Sequence, residues 1–482
     1  MIGPTARSKS PLEKRIQRAA RIALYGSLAV TLVLLAAGLG YLQSLRPATP
    51  EEDFAWQEVD WQGVQEVQLL RRYLQINTSQ PNANELAGAQ FLASVLAQNG
   101  IHSEIEVLGG HHANLWAVLP GADPRPLVLH SHIDTDPVTN PEEWHYPPWG
   151  GVIEGPYLYG RGAFDMKSIA IAQLMAFLDL AKSGKPLKRT VVFLATGAEE
   201  VGSDLGTKWL LAERPELLGQ TWAFLTEGGV VETSSAHDVR YWGVEFAQRR
   251  LVDVTFCSPS QERLEALRQE LETDLDEGNL EVRITPEVAA FMAAYGPTRQ
   301  DPLLRRALTD LPGLQRNVAL YARLPSYLKA FFRDEAHPFL PRQKADGTWT
   351  LLVKVHLLPG SSFEEAFARL LPDWRRAGLT WSVYDERGAD HGAPLDHPAF
   401  EAMVDELRQA HPGAVVGPQF LPWSANDSRF LRAAGLPAYG FSPFLIPYSD
   451  TRRVGLPDER ISLMGLRSGT EIYRRLVARL AY

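Results

Sequence analysis

The chain has 482 residues, room for about three domains at ~150 residues each. Its 45% apolar and 22% charged residues are ordinary globular values and exclude a disordered or collagen-like chain. A single cysteine, Cys257, excludes an intrachain disulfide and a thiolate metal cluster, and the net charge of −9 argues against a nucleic-acid partner.

The charge is unevenly spread. Residues 1–21 carry six basic groups and one acid, residues 22–42 carry none, and the remainder is strongly acidic. The stretch 22–42, IALYGSLAVTLVLLAAGLGYL, would be about 31 Å long as a helix at ~1.5 Å per residue, enough to cross a bilayer core. It is longer than the apolar region of a cleaved signal peptide, roughly 7–15 residues. It predicts one N-terminal transmembrane helix. The basic head, 1–21, is then cytoplasmic by the positive-inside rule, and the acidic body periplasmic or extracellular. Residues 43–60 read as a polar tether.

From Val64 a helical pattern runs through VQEVQLLRRYLQI, and a second helix, ELAGAQFLASVLAQNG, stops at Gly100. Short apolar runs with strand character follow: HSEIEVL, NLWAVL and PLVLHSHID. A helix over 168–182 precedes the strand RTVVFLAT, a helix after Gly202 and the strand WAFLT. Strands alternating with helices predict a mixed or parallel sheet covered on both faces, an α/β domain with its first part at 61–250. The pattern changes after Leu251. LVDVTFCS, ERLEALRQELETDL, TWTLLVKVHLLPG, SSFEEAFARLLPDWRRA and LTWSVYDER read strand, helix, strand, helix, strand, interrupted by a helical, proline-punctuated stretch to about Phe339. This predicts a small α+β domain with a helical insertion at 251–389. At 390–482 the first style returns, so the second domain is inserted into the first.

Three strands end in metal-type ligands. PLVLHSHID ends in His132 and Asp134, RTVVFLATGAEE in Glu199 and Glu200, and WAFLTEGG in Glu227; GRGAFDMK supplies Asp165 between the first two. Ligands in open α/β sheets sit beyond the carboxyl ends of strands. An imidazole and several carboxylates suit zinc or a similar divalent cation. Asp134 is placed to accept from the second ring nitrogen of His132 and fix its tautomer. Of the adjacent Glu199 and Glu200, one can bind metal while the other takes a proton from water.

The run HSHIDTDPV…EEWHYPPWGGVIEGPYLYGRGAFDMKS resembles the M20 metallopeptidases, the group of aminoacylase, carboxypeptidase S and N-acyl-amino-acid hydrolases. ATGAEEVGSDLG, FLTEGG, VHLLPGSSFEEAF and NDSRFLRAAGLPAYGFSP…DERIS match later blocks in family order. The resemblance implies a zinc-peptidase-like α/β/α catalytic domain with a ferredoxin-like lid, and a small peptide or N-acyl amino acid as substrate. It implies one or two zinc ions, with cobalt or manganese as substitutes. Asp165 would bridge, His132 and Glu227 would serve one metal and Glu200 the other. Glu199 would be the general base, Arg429 would receive the substrate carboxylate, the Asp165–Met166 bond would be cis, and the lid could pair two chains as a homodimer.

The chain departs from this pattern at named places. A histidine expected four or five residues before Glu459 falls on Gly455 or Val454, with Asp450 as a weak substitute and an ordinary turn residue as its plainer reading. CSPSQE lacks the lid histidine, and His356 stands where the family has an arginine. Two functions therefore stay open: a membrane-anchored, metal-dependent amide hydrolase, or a catalytically impaired binding or scaffold protein on the same fold.

Overall fold

The computed structural model describes residues 59–235, 238–276, 281–385 and 388–482. The expected anchor at 22–42 and nearly all of the tether lie outside the described residues. Among the described residues no helix is long and apolar enough to cross a membrane.

Apolar side chains alternate between two cores along the central strands. In Asp123–His132, Leu127 and Leu129 enter one buried cluster and Val128 the other; in Arg189–Thr196, Val191, Phe193 and Ala195 oppose Val192 and Leu194. This period of two, apolar on both sides, is what a sheet covered on both faces requires. The sheet runs in the order Glu104–Leu108, His112–Leu119, Arg189–Thr196, Asp123–His132, Ala223–Thr226, Ala438–Gly440, Asp238–Gln248, Val416–Leu421, with Val230–Ser235 paired to Asp238–Gln248. The four strands from Arg189–Thr196 to Ala438–Gly440 are mutually parallel, so their carboxyl ends share one edge. The helix Lys167–Ser183 is buried nearly all round and packs on one face beside Leu463–Ala481, while Leu210 and Leu431, from two short helices, join the opposite cluster.

The strands Asp238–Gln248 and Val416–Leu421 were not foreseen from the sequence. Most of the first is buried on both faces and shows no polar alternation, and VGPQFL carries a Gly-Pro pair that reads as a turn. Pro418 is tolerated because its strand ends the sheet order.

The lid sheet runs in the order Glu335–Pro338, Trp349–Leu357, Arg250–Ser258, Thr380–Asp385, all antiparallel, with Arg342–Gln343 beside Trp349–Leu357. Gln261–Asp276 and Phe363–Leu370 connect these strands in the split β-α-β order of a ferredoxin-like domain. Val252, Val254 and Phe256 alternate into its separate core with Leu264, Leu267 and Ala366. The helical insertion, expected within the lid at 251–389, packs elsewhere. Val288, Phe291, Met292, Leu314 and Phe331 belong to the main-sheet core, with Phe291 against Tyr241 and Phe331 against Phe420. Its apolar face is buried on the main sheet, separate from the lid's own core.

Candidate active site

Four backbone N–H groups in a row define the site. After the strand Arg189–Thr196 the chain turns through Gly197 and Ala198, the latter in the left-handed region at φ 58°. Asn114 Oδ1 accepts from Gly197 N at 3.0 Å and Glu85 Oε1 from Ala198 N at 3.0 Å. Asp134 Oδ1 then accepts from Glu199 N at 3.0 Å and its Oδ2 from Glu200 N at 3.1 Å. Gly197 is needed because a Cβ there would collide with the Glu85 carboxylate. These four N–H groups are all held by side chains, and the turn aims Glu199 and Glu200 at the strand edge that carries His132 and Glu227.

This corrects the expected role of Asp134. His132 Nδ1 donates to the Asp134 backbone carbonyl at 2.8 Å, and the Asp134 carboxylate is 3.7 Å away. A carbonyl only accepts, so Nδ1 carries a proton and Nε2 is the ring nitrogen that faces the site. The carboxylate is taken up by the Glu199–Glu200 turn and by Gln80 Nε2 at 2.9 Å. The sequence does not reveal Glu85, Gln80 and Asn114, because an acid in the first turn of a helix ordinarily lies in water. Here Glu85 is fully buried.

His132 Nε2 lies 3.1 Å from Asp165 Oδ1 and 3.6 Å from Glu227 Oε2. One donor atom each from His132, Glu199 and Glu227 falls within 4.8 Å, as does one each from His132, Asp165 and Glu200. The Asp165–Met166 bond is cis. Asp165 is further placed by Glu459, which accepts from Phe164 N at 2.9 Å and Asp165 N at 3.3 Å and pairs with buried Arg161 at 2.7 Å.

The electrostatics call for positive charge. Burial disfavours the charged form of His132, yet Glu227 and Asp165 beside it hold its pKa well above the usual value. Burial and neighbouring carboxylates push Glu199, Glu200 and Glu227 up. Burial also acts against Asp165, but His132 keeps it below the usual range. Glu200 Oε1 is buried and has no hydrogen-bond partner among the described residues. An imidazole with the Asp165 and Glu227 carboxylates 3.1 and 3.6 Å from its Nε2 fits a divalent cation held by His132, Asp165 and Glu227.

The second position fits less well. Gly455 has no side chain to offer. Asp450, the weak substitute, is buried and its Oδ1 is taken by Arg460 at 2.8 Å, and it joins neither cation-sized group among the described residues. A negative charge that is already paired with a guanidinium is poorly available to a metal.

A cleft of about 790 Å³ opens beside this cluster. Glu199, Glu200 and Arg429 line one side, and His337, Lys354 and His356 of the lid line the other. Arg429 is buried, with Nη1 3.5 Å from Glu199 Oε1. His356 hydrogen-bonds the Pro422 backbone; burial, Arg249 and His337 push its pKa down to about 2, so it stays neutral.

Residues 128–479 match Peptidase family M20/M25/M40, and the chain belongs to this family. It is a hydrolase of the peptidase and amidohydrolase class. Aminoacylase-1A of Rattus norvegicus is 27% identical over 440 residues, covering 86% of this chain and 95% of the relative. Aminoacylase-1 of Homo sapiens is 27% identical over 432 residues, with the same shares. The M20 family metallo-carboxypeptidase Sso-CP2 from Sulfolobus solfataricus shares the fold at TM-score 0.65 and 16% identity, over 86% of this chain and 98% of that one. Human carnosine dipeptidase 1 does so at TM-score 0.61 and 14% identity, over 86% and 96%.

Proposed function

We propose that the protein is a metal-dependent hydrolase that cleaves the amide bond of an N-acyl amino acid or a small peptide bearing a free carboxylate. The observation that carries this reading is the convergence of Asp165 and Glu227 on His132, with Glu199 and Glu200 in cation-sized groups with the same imidazole, beside a cleft that also presents Arg429. A bound divalent cation would polarise the scissile carbonyl and make water a better nucleophile. Glu199 takes the proton of the attacking water on its carboxylate and returns it to the departing amine nitrogen. Its raised pKa suits an acid that must hold that proton between the two steps. Arg429 offers a planar fork to the substrate carboxylate. Asp134 and Glu85 keep the Glu199 turn from moving while this occurs.

The test is release of free amino acid from a panel of N-acyl amino acids and dipeptides by the full-length protein. Turnover is expected with added zinc, cobalt or manganese, and should vanish on chelation and in Glu199→Gln. Absence of turnover under all three metals would overturn the reading. A second reading, substrate binding without turnover, is favoured by Gly455 and by the neutral His356; it predicts saturable binding of the same compounds with none consumed.

The reading includes an anchor. The uncharged run at 22–42 and the basic residues before it support a single span, with the hydrolase outside the cytoplasm. Protease accessibility in intact cells tests this, and protection of the folded body would reject it. Pairing of two chains through the lid is part of the same proposal, supported by the exposed Trp381 and Val383 on its edge strand. Sedimentation as a monomer at micromolar concentration would remove it.

A further inference from the structure

Where a side chain on residue 455 would begin, the structure has a carboxylate. Gly455 lies at φ +72°, and a Cβ built on it would meet Asp136 Oδ2 at 2.6 Å and nothing outside Asp136 within 4 Å. Asp136 is half-buried, and among the described residues no hydrogen bond or ion pair reaches its carboxylate. It is near enough to Glu200 for its charge to act there. Glu200 in turn has a buried Oε1 without a partner among the described residues. Asp136 thus occupies the place that the absent side chain leaves open, close enough to Glu200 for the two carboxylates to interact.

Arg161 makes this juxtaposition a built one. Its Nη2 donates to the carbonyls of Gly455 at 2.8 Å and Pro137 at 3.2 Å, and its Nη1 pairs with Glu459 at 2.7 Å. Glu459 then holds the backbone of Asp165. One buried guanidinium therefore ties together the segments that carry Asp136, Gly455 and Asp165. On the other side, Thr135 N donates to the Thr78 carbonyl at 3.0 Å, which fixes the backbone just before Asp136. The Asp136 oxygens do not already lie within 4.8 Å of the His132, Asp165 and Glu200 donors. Ligation by Asp136 therefore requires its side chain to turn toward Glu200 and Asp165, with which it does not share a 4.8 Å group as it stands.

We propose that Asp136 serves as a ligand in a second cation position built only of carboxylate oxygens, together with Glu200 and Asp165, and that this position selects a hard cation such as Mn2+ or Mg2+ over Zn2+. Oxygen-only donor sets suit Mg2+, Ca2+ and Mn2+, whereas an imidazole favours zinc. The His132 side of the cluster keeps its nitrogen and its preference for zinc. This inference rests on the metallohydrolase reading above.

The experiment strips the full-length protein with a chelator and dialyses it against zinc alone, manganese alone, or both. Bound metal is counted by mass spectrometry and Mn2+ is followed by its electron paramagnetic resonance signal. Wild type should retain zinc and take up manganese in addition. Asp136→Asn, which keeps the side-chain shape, should weaken manganese uptake by at least about tenfold and leave zinc unchanged. Glu200→Gln should do the same, and circular dichroism should show both variants folded. Unchanged manganese affinity in Asp136→Asn would overturn the proposal. So would a wild type that holds zinc alone and still hydrolyses its substrate, and that result would leave the metallohydrolase reading intact. A protein that binds neither metal and turns nothing over would overturn both.

Discussion

The two walls of the cleft are built differently. On the main-sheet wall the reactive carboxylates sit on a turn whose four consecutive N–H groups are all taken by buried side chains. On the lid wall His356 is buried, but the other polar groups are more loosely held. Lys354 meets Asp253 at 3.6 Å with both side chains a quarter to a third exposed. Tyr384 is half exposed. Reacting groups have to be held within a fraction of an ångström, and buried hydrogen bonds provide that. Groups that select a substrate can tolerate more freedom. The contrast places chemistry on the first wall and substrate choice on the second.

The largest effect expected from breaking this comparison is at Glu199. Replacing it with Gln keeps the turn and removes the proton acceptor, so kcat should fall by about 10²–10⁴ with little change in thermal midpoint. Steady-state kinetics beside a melting curve checks both parts. Next comes Asp134→Ala, which leaves the Glu199 and Glu200 N–H groups unpaired. Activity should drop about 10–100-fold, and stability by about 1–3 kcal/mol, as read by urea denaturation. An unchanged kcat would mean that the turn does not need its anchor.

A smaller effect concerns pH and the lid. His356 is held neutral, with a folded pKa of about 2 against about 6.5 unfolded. Protonation therefore favours the unfolded chain. The contribution of this group to stability is complete above pH 6.5 and is lost as pH falls from there toward 2. Between pH 7 and 5.5 the loss should be about 1 kcal/mol, and His356→Gln should flatten that part of the stability profile. Smallest of all, Trp374→Ser on the exposed outer side of the lid should change the stability of the folded chain by no more than about 0.5 kcal/mol.

Much of this was legible in the residues. His132, Glu199, Glu200 and Glu227 could be placed at strand ends because the strands before them are short apolar runs of clear period. Less could be said of partners. HxD suggests that the aspartate supports the histidine. The structure instead turns the Asp134 carboxylate toward a loop more than sixty residues away in sequence. The same holds for Glu85, which looks like a solvated helix start and is a buried anchor. Asp136 gave no signal, since an acid before a proline reads as a turn, and its meaning comes only from Gly455 beyond it in space.

The sequence by itself determined the class of fold, the order of the ligand-bearing strands, the missing imidazole at Gly455 and the charge pattern of the N-terminus. The fold class, the strand order and the charge pattern are properties of local residue type or periodicity, and the missing imidazole follows from the family resemblance. The tertiary structure decided which acceptor each buried N–H takes, that the helical stretch near 282–332 belongs to the main core, and that Asp136 fills the space before Gly455. Those outcomes depend on where backbone groups point after distant segments pack together, and satisfying them is a condition on the whole fold rather than on any stretch of chain.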